Sequence, residues 1–461
     1  MIRPAPLPVF GRNSGRVSER DFRLLKQLFS QNRQASQAFI LVTVFLDVLG
    51  IGLIIPVLPA LAGQFAHSPD EQSAWYGWHS AMYGTMQFFM ASVLGALSDK
   101  YGRRPVLLLS ISGLGISFFT HALATSLFTL LLVRVISGGT AASFSVANAY
   151  IADITEPELR GKAFGKLGAA FGIGFIFGPV LGGLLSAHNI RLPFIVAGGM
   201  AVLNWLYGYF VLPESLPKDR RALFAFKRAN PFAALAHLGK VHGVGLLVVV
   251  FALAIFAQLT LQSTWVLYTQ FCFHWTPQDN GWSLFAVGVV AAIVQGGLQG
   301  PLIKRFGERK LVMMGFLSAT VAYLLYGSIT VGWLMYVVMG ANALVYAAGL
   351  AMQTIISKAV GPREQGLMQG SLNSIQSLAL IVGALLGTTI LARVGHLSPG
   401  DWRLGSTFYF CSFLSALALL IAWLHFRREG HLPASQPYRP TLPALALSFL
   451  VCKSYLLSSQ N

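Results

Sequence analysis

Twelve apolar runs, each roughly 20 residues long and separated by short polar loops, constrain this chain more than any other feature. A helix rises about 1.5 Å per residue, so a run of that length matches the roughly 30 Å hydrocarbon core of a bilayer. The predicted spans are 38–61, 75–97, 105–125, 128–152, 164–186 and 193–212, then 243–266, 281–303, 310–330, 332–357, 367–392 and 405–426. Only 11% of the 461 residues are charged and 55% are hydrophobic, whereas soluble domains carry about 25% charge. So few charges cannot cover a water-facing surface, and a large soluble protein is excluded. The fold class is an all-α membrane protein.

The basic residues set the expected topology. The leader 1–37 holds seven Lys/Arg and no compact apolar segment with a cleavage site, so it reads as a polar leader with a short amphipathic helix around 21–29. The stretch 213–242 carries Lys218, Arg220, Arg221, Lys227, Arg228 and Lys240, and reads as a charged linker between two six-helix units, 38–212 and 243–426. With the N-terminus cytoplasmic, the leader, the loops on its side and the tail 427–461 hold 29 of the 33 Lys/Arg; the other face holds Arg191, Arg393 and Arg403. That bias predicts both termini on the cytoplasmic side of the inner membrane. The tail contains an apolar run at 442–457, but Pro443 and Lys453 interrupt it, so an interfacial segment is expected rather than a thirteenth span. A net charge of +17 on a soluble protein would hint at nucleic acid. Here the charges sit in short loops between apolar runs, and no nucleic-acid partner is expected. Cys272, Cys411 and Cys452 show no metal-ligand spacing, and no metal site is expected.

The halves repeat. "GALSDKYGRRP" (Gly95 to Pro105) follows span 2 and "GPLIKRFGERK" (Gly300 to Lys310) follows span 8. Gly95, Gly102 and Arg104 correspond to Gly300, Gly307 and Arg309, while Lys304 stands in the second copy where Asp99 stands in the first. Six-span repeats predict two pseudo-symmetric bundles with a substrate path between them.

Three strings carry the chemistry. In the first loop, the glycines allow a tight turn, Arg103 and Arg104 can anchor at the membrane surface or pair with an acid, and Asp99 can accept from amides at a neighbouring helix N-terminus. In "GIGFIFGPVLGG", Gly174, Gly178 and Gly182 recur every four residues on one face, with Gly183 adjacent. Small residues at that spacing let another helix approach closely, and Pro179 can kink the helix. In "FLDVLGIGLIIPVLPAL", Asp47 is an acid deep in span 1, with Pro56 and Pro59 as bend points towards the span's far end.

The loop resembles the signature loop of the major facilitator superfamily, and "GPVLGG" looks like the helix motif of its antiporter-type members. "LVRVISGG" matches that branch's span-4 arginine pattern at Arg134. From about residue 39 to 424 the chain is similar to the tetracycline-efflux group of twelve-span drug:proton antiporters. The resemblance implies alternating access and exchange of protons against a drug-like substrate. It matches Asp47 to the group's span-1 acid, Gln87 to its span-2 glutamine, and Asp99, Arg103, Arg104, Arg134 and Asp153 to its signature residues. It also marks departures: those exporters carry further acids in spans 3 and 9, where this chain has Ser117 and Ala319.

Within the spans, Asp47 is the only deeply placed acid and Arg134 the only deep base. A membrane-embedded acid costs about 2.5–3.5 kcal/mol on insertion scales, so its default role is functional. A structural acid holding span 1 is the competing reading. Asp47 and Arg134 are the expected proton-coupling residues, although Arg134 could instead bind backbone carbonyls, and the sequence leaves open whether the two approach each other. His79, Tyr83 and Gln87 lie four apart on one face of span 2 as candidate substrate lining. Gln258, Gln262, Gln295, Asn342, Asn373 and Gln376 are further candidates, though intramembrane amides also serve as interhelical glue. No phosphate-binding loop, HExxH or GxSxG string occurs in the chain. The expected function is thus proton-coupled export of an amphipathic small molecule by a monomer embedded in lipid, with no enzyme activity and no cofactor beyond the proton gradient. Uptake on the same fold and a non-transporting receptor remain the alternatives.

Overall fold

The computed structural model describes residues 19–222, 245–359 and 365–430. The first part of the leader, Lys227, Arg228 and Lys240 of the linker, Cys452 and the apolar run 442–457 lie outside the described residues.

Among the described residues there are only helices, turns and loops. The spans run Gln37–Gly63, Pro69–Tyr101, Arg103–Ala122, Leu127–Ile154, Pro157–Ser186 and Leu192–Val211 in the first half. They continue as Gly245–Phe273, Pro277–Phe306, Glu308–Ser328, Gly332–Lys358, Met368–Ala392 and Trp402–Arg428 in the second. Eleven of the twelve are apolar enough over 18 residues to cross a membrane on hydropathy alone. Span 2 is the exception, because Trp75, Tyr76, His79, Tyr83 and Gln87 dilute its apolar character. It is 33 residues long, starts just after Ser68, whose side chain accepts from the Glu71 amide, and is longer at its start than the sequence indicates.

The helix that carries span 1 begins at Glu19, so the 21–29 stretch is continuous with the span. It breaks after Ile54 and resumes at Leu58 with Pro59 in the first turn, where a missing N–H costs nothing. Spans 4 and 10 also break, between Gly139 and Ser143 and between Ala341 and Leu344. Span 8 loosens into a π-helical stretch at Val294–Leu298. The two copies of the repeated loop turn the same way: Gly102 has φ +108° and Gly307 has φ +74°. Both values are strained for any residue with a Cβ, which explains the shared glycine.

Each half packs two apolar clusters, one towards each membrane face. Ile40, Leu107, Tyr150 and Leu167 lie at the signature-loop end of the first half, and Leu61, Phe118 and Phe194 at the opposite end. The second half repeats this with Leu311 and Ile356 at one end and Trp265, Tyr326 and Phe408 at the other. Large apolar side chains also cover the outside, with Phe210 76% and Leu123 75% exposed. A surface of that kind suits lipid rather than water.

Among the described residues, the halves meet through spans 2 and 11 and through spans 5 and 8, near the face opposite the signature loops. There a Cβ on Gly183 would stand 2.8 Å from Gln278 Cα, one on Gly281 would stand 2.5 Å from the Pro179 carbonyl, and one on Gly84 would stand 3.0 Å from Ile381 Cγ1. His396 Nδ1 lies 3.2 Å from Asp70 Oδ2, adding a polar link between the halves at the same end. Towards the signature loops the same four helices part: Gly95, Gly168, Gly172, Gly296, Gly300 and Gly370 have no neighbour within 4 Å of a built Cβ. Among the described residues, the helices are closed together at one face and stand apart at the signature-loop face. A disulfide between Gly84→Cys and Ile381→Cys is expected to hold them that way. Transport by that double variant should stop under oxidation and return on reduction, as read by flux in vesicles.

Candidate functional site

The signature loop is a cluster of charge-assisted bonds that joins spans 2, 3, 4 and the end of span 6. Arg103 bridges two acids, with Nη1 2.5 Å from Asp99 Oδ1 and Nε 3.0 Å from Asp153 Oδ2. Arg104 donates to the Tyr209 carbonyl and lies over the Tyr209 ring. The expected amide-binding role of Asp99 falls instead to Glu214, which the sequence reading did not single out. Its carboxylate accepts from the Arg103 and Arg104 amides at 2.8 and 3.3 Å and from the Leu216 amide at 3.0 Å. A carboxylate there neutralises the positive end of span 3. Asp99 sits on the preceding helix, i to i+4 from Arg103, and pairs with it instead. Glu214→Ala is expected to cost about 1 kcal/mol, visible as a lowered Tm in detergent.

The glycine motif of span 5 does two jobs. Gly174, Gly178 and Gly182 face span 1, where a built Cβ would meet the Phe45 carbonyl at 3.0 Å, Gly52 Cα at 2.7 Å and the Leu53 carbonyl closer still. Gly183 and Pro179 face span 8 across the two halves. One string therefore holds span 5 against its own bundle and against the other.

The seam between spans 1 and 5 borders Asp47. That side chain is 4% exposed, and its Oδ1 accepts from Asn204 Nδ2 of span 6 at 2.8 Å. The same amide donates to the Thr43 carbonyl at 3.1 Å. Ser143, where span 4 resumes, also interacts with the carboxyl. Asp47 Oδ2, Asn204 Oδ1 and Thr43 Oγ1 are buried with no partner at hydrogen-bond distance. A buried polar atom left this way costs about 1–3 kcal/mol unless a proton or a water completes its bonding.

Arg134 does not join Asp47. Its Nε lies 2.9 Å from His79 Nε2 and 3.2 Å from Nδ1, and its guanidinium stands 5.0 Å from the Tyr83 ring centre. The two expected proton-coupling residues thus stand in two networks, Asp47 with span 6 and Arg134 with span 2. His79, Tyr83 and Gln87 do share a face of span 2. His79 is buried, while Tyr83 and Gln87 are half-buried.

In the second half, a cavity of about 220 Å³ opens among spans 7 to 10, lined by Gln258, Gln295, Gln353, Tyr323, Tyr346 and Ala319. Gln295 belongs to the π-helical stretch, a distortion frequent at functional sites. The other proposed lining residues stand elsewhere. Gln262 and Asn373 are exposed, and Gln376 is half-buried outside this cavity. Asn342 is buried at the break in span 10 and accepts from Ser318 at 3.2 Å.

A family model described as the Major Facilitator Superfamily matches residues 40–298 and 247–459. The chain belongs to the major facilitator superfamily. It is 38% identical to the class C tetracycline resistance protein of Escherichia coli, over 80% of this chain and 93% of that one. It is 32% identical to the class B protein of Escherichia coli, over 84% of this chain and 96% of that one. In fold it is similar to a bacterial homologue of the human lysosomal transporter Spinster, solved inward-facing and unoccupied. The TM-score is 0.70 at 18% identity, covering 88% of this chain and 99% of that one.

This facilitator is therefore a secondary active transporter and a multi-pass membrane protein with a small-molecule substrate. The resemblance to the tetracycline-efflux group holds across most of the chain. At the two departures, Ala319 is buried in the wall of the second-half cavity and Ser117 is buried one turn from His121. Asn204, His121, Tyr323 and Tyr346 were not singled out from sequence. Only His121 offered a signal there, as an ionisable residue close to the end of an apolar run.

Proposed function

We propose that this transporter exports an amphipathic, drug-like small molecule in exchange for protons across a bacterial inner membrane. Both termini and the signature loops face the cytoplasm, and one chain in lipid suffices because it carries both halves. The proton gradient is the energy source. The observation that carries this reading is Asp47, a buried carboxyl with one oxygen held by Asn204 and the other without a donor.

A proton on Oδ2 removes the charge from a buried carboxyl oxygen that has no partner at hydrogen-bond distance. Loss of that proton leaves a buried carboxylate supported by the Asn204 amide and Ser143 alone. The two states therefore favour different packings of span 1 against spans 5 and 6. The glycine seam, with backbone against backbone, allows such a shift without crossing side chains. Substrate enters from the open signature-loop face and meets the amide- and phenol-lined cavity of the second half. That lining has no carboxylate at Ala319, so it favours hydrogen-bonding amphipathic molecules over those that need an acid there.

A susceptibility and export screen in cells with and without the gene tests this. Tetracycline, ethidium and fluorescein represent zwitterionic, cationic and anionic amphipaths. Lower cell content of at least one of them when the gene is present supports export. Higher content indicates uptake, and unchanged content across a broad panel indicates a non-transporting protein.

A further inference from the structure

We infer that the outer face of the second half binds one phospholipid with a net negative headgroup, in a groove between spans 9 and 12 at the signature-loop end. The site stands apart from the substrate cavity and does not rest on the export reading above.

The groove is a cavity of about 390 Å³, lined by Met313, Met314 and Leu317 of span 9 and by Ala416, Leu420 and Trp423 of span 12. It faces outward, since Leu317 is 54% exposed and Leu420 51%. Its walls are fixed from within. Ser412 donates to the Thr320 carbonyl at 2.7 Å and Ser415 to the Phe316 carbonyl at 3.2 Å, which ties the two helices together. Behind it, Leu311, Val312, Phe316, Ala418 and Ala422 are buried in the core of this half. The groove is therefore preformed, and its volume is that of a small-molecule pocket. No charged side chain lines it. Ala416 has the smallest side chain of the lining and leaves room, and the two unbranched thioethers adapt to a flexible chain.

Charge enters at one end. Lys310 lies three and four residues before Met313 and Met314, and Arg427 lies four residues after Trp423. That spacing keeps each on the groove face of its helix. Each stands about 5 Å beyond the apolar lining, towards the signature-loop face. Both are exposed, and the Arg427 guanidinium is 5.2 Å from the Trp423 ring centre. Among the described residues, neither pairs with an acid. Glu308, the acid that starts span 9, is held by Lys358 at 2.6 Å.

The depth fits one leaflet. From Arg427 to Ala416 span 12 rises about 16 Å, half of the roughly 30 Å hydrocarbon core. An apolar groove one leaflet deep, with two cations at its mouth, matches an acyl chain below an anionic headgroup. Basic pockets between spans recognise such headgroups by the same charge complementarity. A second copy of the chain fits less well. Docked about a twofold axis along the membrane normal, it would bring its own Lys310 and Arg427 to the same level, like charge against like.

The test uses full-length protein in phosphatidylcholine nanodiscs with an equal small fraction of brominated phosphatidylglycerol or brominated phosphatidylethanolamine. Bromine on an acyl chain quenches a tryptophan that it touches. Subtracting the signal of Trp423→Phe isolates that ring among the nine tryptophans. Each Lys or Arg near the surface attracts an anionic lipid by about fivefold, so Trp423 should favour the glycerol lipid by at least that factor. Lys310→Gln combined with Arg427→Gln should remove the preference. Arg428→Gln, about 100° round the helix from Arg427, should keep it. Ala416→Phe fills the groove without changing charge and should lower quenching by both lipids. The inference is overturned if the wild type shows no preference, or if Arg428→Gln removes it as fully as the double substitution, which would mean diffuse surface charge. Unchanged quenching in Ala416→Phe overturns it as well, and so does weak quenching by both lipids in the wild type, which would mean that a second copy covers the groove. If Ala416→Phe does not fold, the wild type and the charge variants decide. No substrate is involved, so failure here is distinct from failure of the export reading.

Discussion

Asp47→Asn is expected to abolish gradient-driven export while leaving the protein folded and inserted. Asparagine matches aspartate in shape, and its Oδ1 can still accept from Asn204 Nδ2, the 2.8 Å bond of the native cluster. Its Nδ2 puts hydrogen at the place of the partnerless Oδ2, as a protonated carboxyl would, so the variant resembles the protonated state permanently. Insertion loses an acid that costs about 2.5–3.5 kcal/mol in the membrane, so stability should hold or rise. What disappears is the ability to bind and release a proton. In everted vesicles an acid lumen should therefore drive accumulation of an exported compound by the wild type and none by the variant. Exchange of labelled for unlabelled compound across the same membrane should persist. Normal gradient-driven accumulation by Asp47→Asn would remove Asp47 from the coupling.

The second large effect is structural. Gly178→Leu is expected to prevent a folded first half. A Cβ at Gly178 would lie 2.7 Å from Gly52 Cα, and a Cβ at Gly52 would lie 2.9 Å from Gly178 Cα. Both obstacles are backbone, so neither can rotate away, and spans 1 and 5 must separate. Overpacking costs about 1–3 kcal/mol where side chains can adjust, and here they cannot. The separation would also pull Asp47 from its place beside the seam. Size-exclusion chromatography in detergent should show aggregated Gly178→Leu. Gly172→Leu, on the same helix with no neighbour within 4 Å, should give a single folded peak. Equal behaviour of the two would contradict the close seam.

Much of the architecture was legible because bilayer thickness dictates run length, and run length needs no tertiary information. The glycine repeat at 174, 178 and 182 was legible for the same kind of reason, since period four is a helix face. What one helix face meets is a different matter. Gly183 follows Gly182 directly yet packs on the other half, which only the assembled bundles decide. The breaks at 140–142 and 342–343 were hidden inside apolar runs whose composition does not change across them. In the site, Asp47 stood out because acids are rare in spans. Asn204 did not, because amides are common there. His79 read as one residue of a face until span 3 placed His121 against it. Arg134 and Asp47 both stood out by rarity, but only the fold shows that they belong to separate networks.

The central claim is that substrate and proton compete through Asp47. Proton release by purified transporter in weakly buffered detergent tests it most directly, on addition of a compound that the cell screen identifies. The account predicts a pH drop on compound binding to the wild type and, at saturating compound, none for Asp47→Asn, whose binding is weaker and no longer depends on pH. Proton release of equal size from both proteins would contradict it.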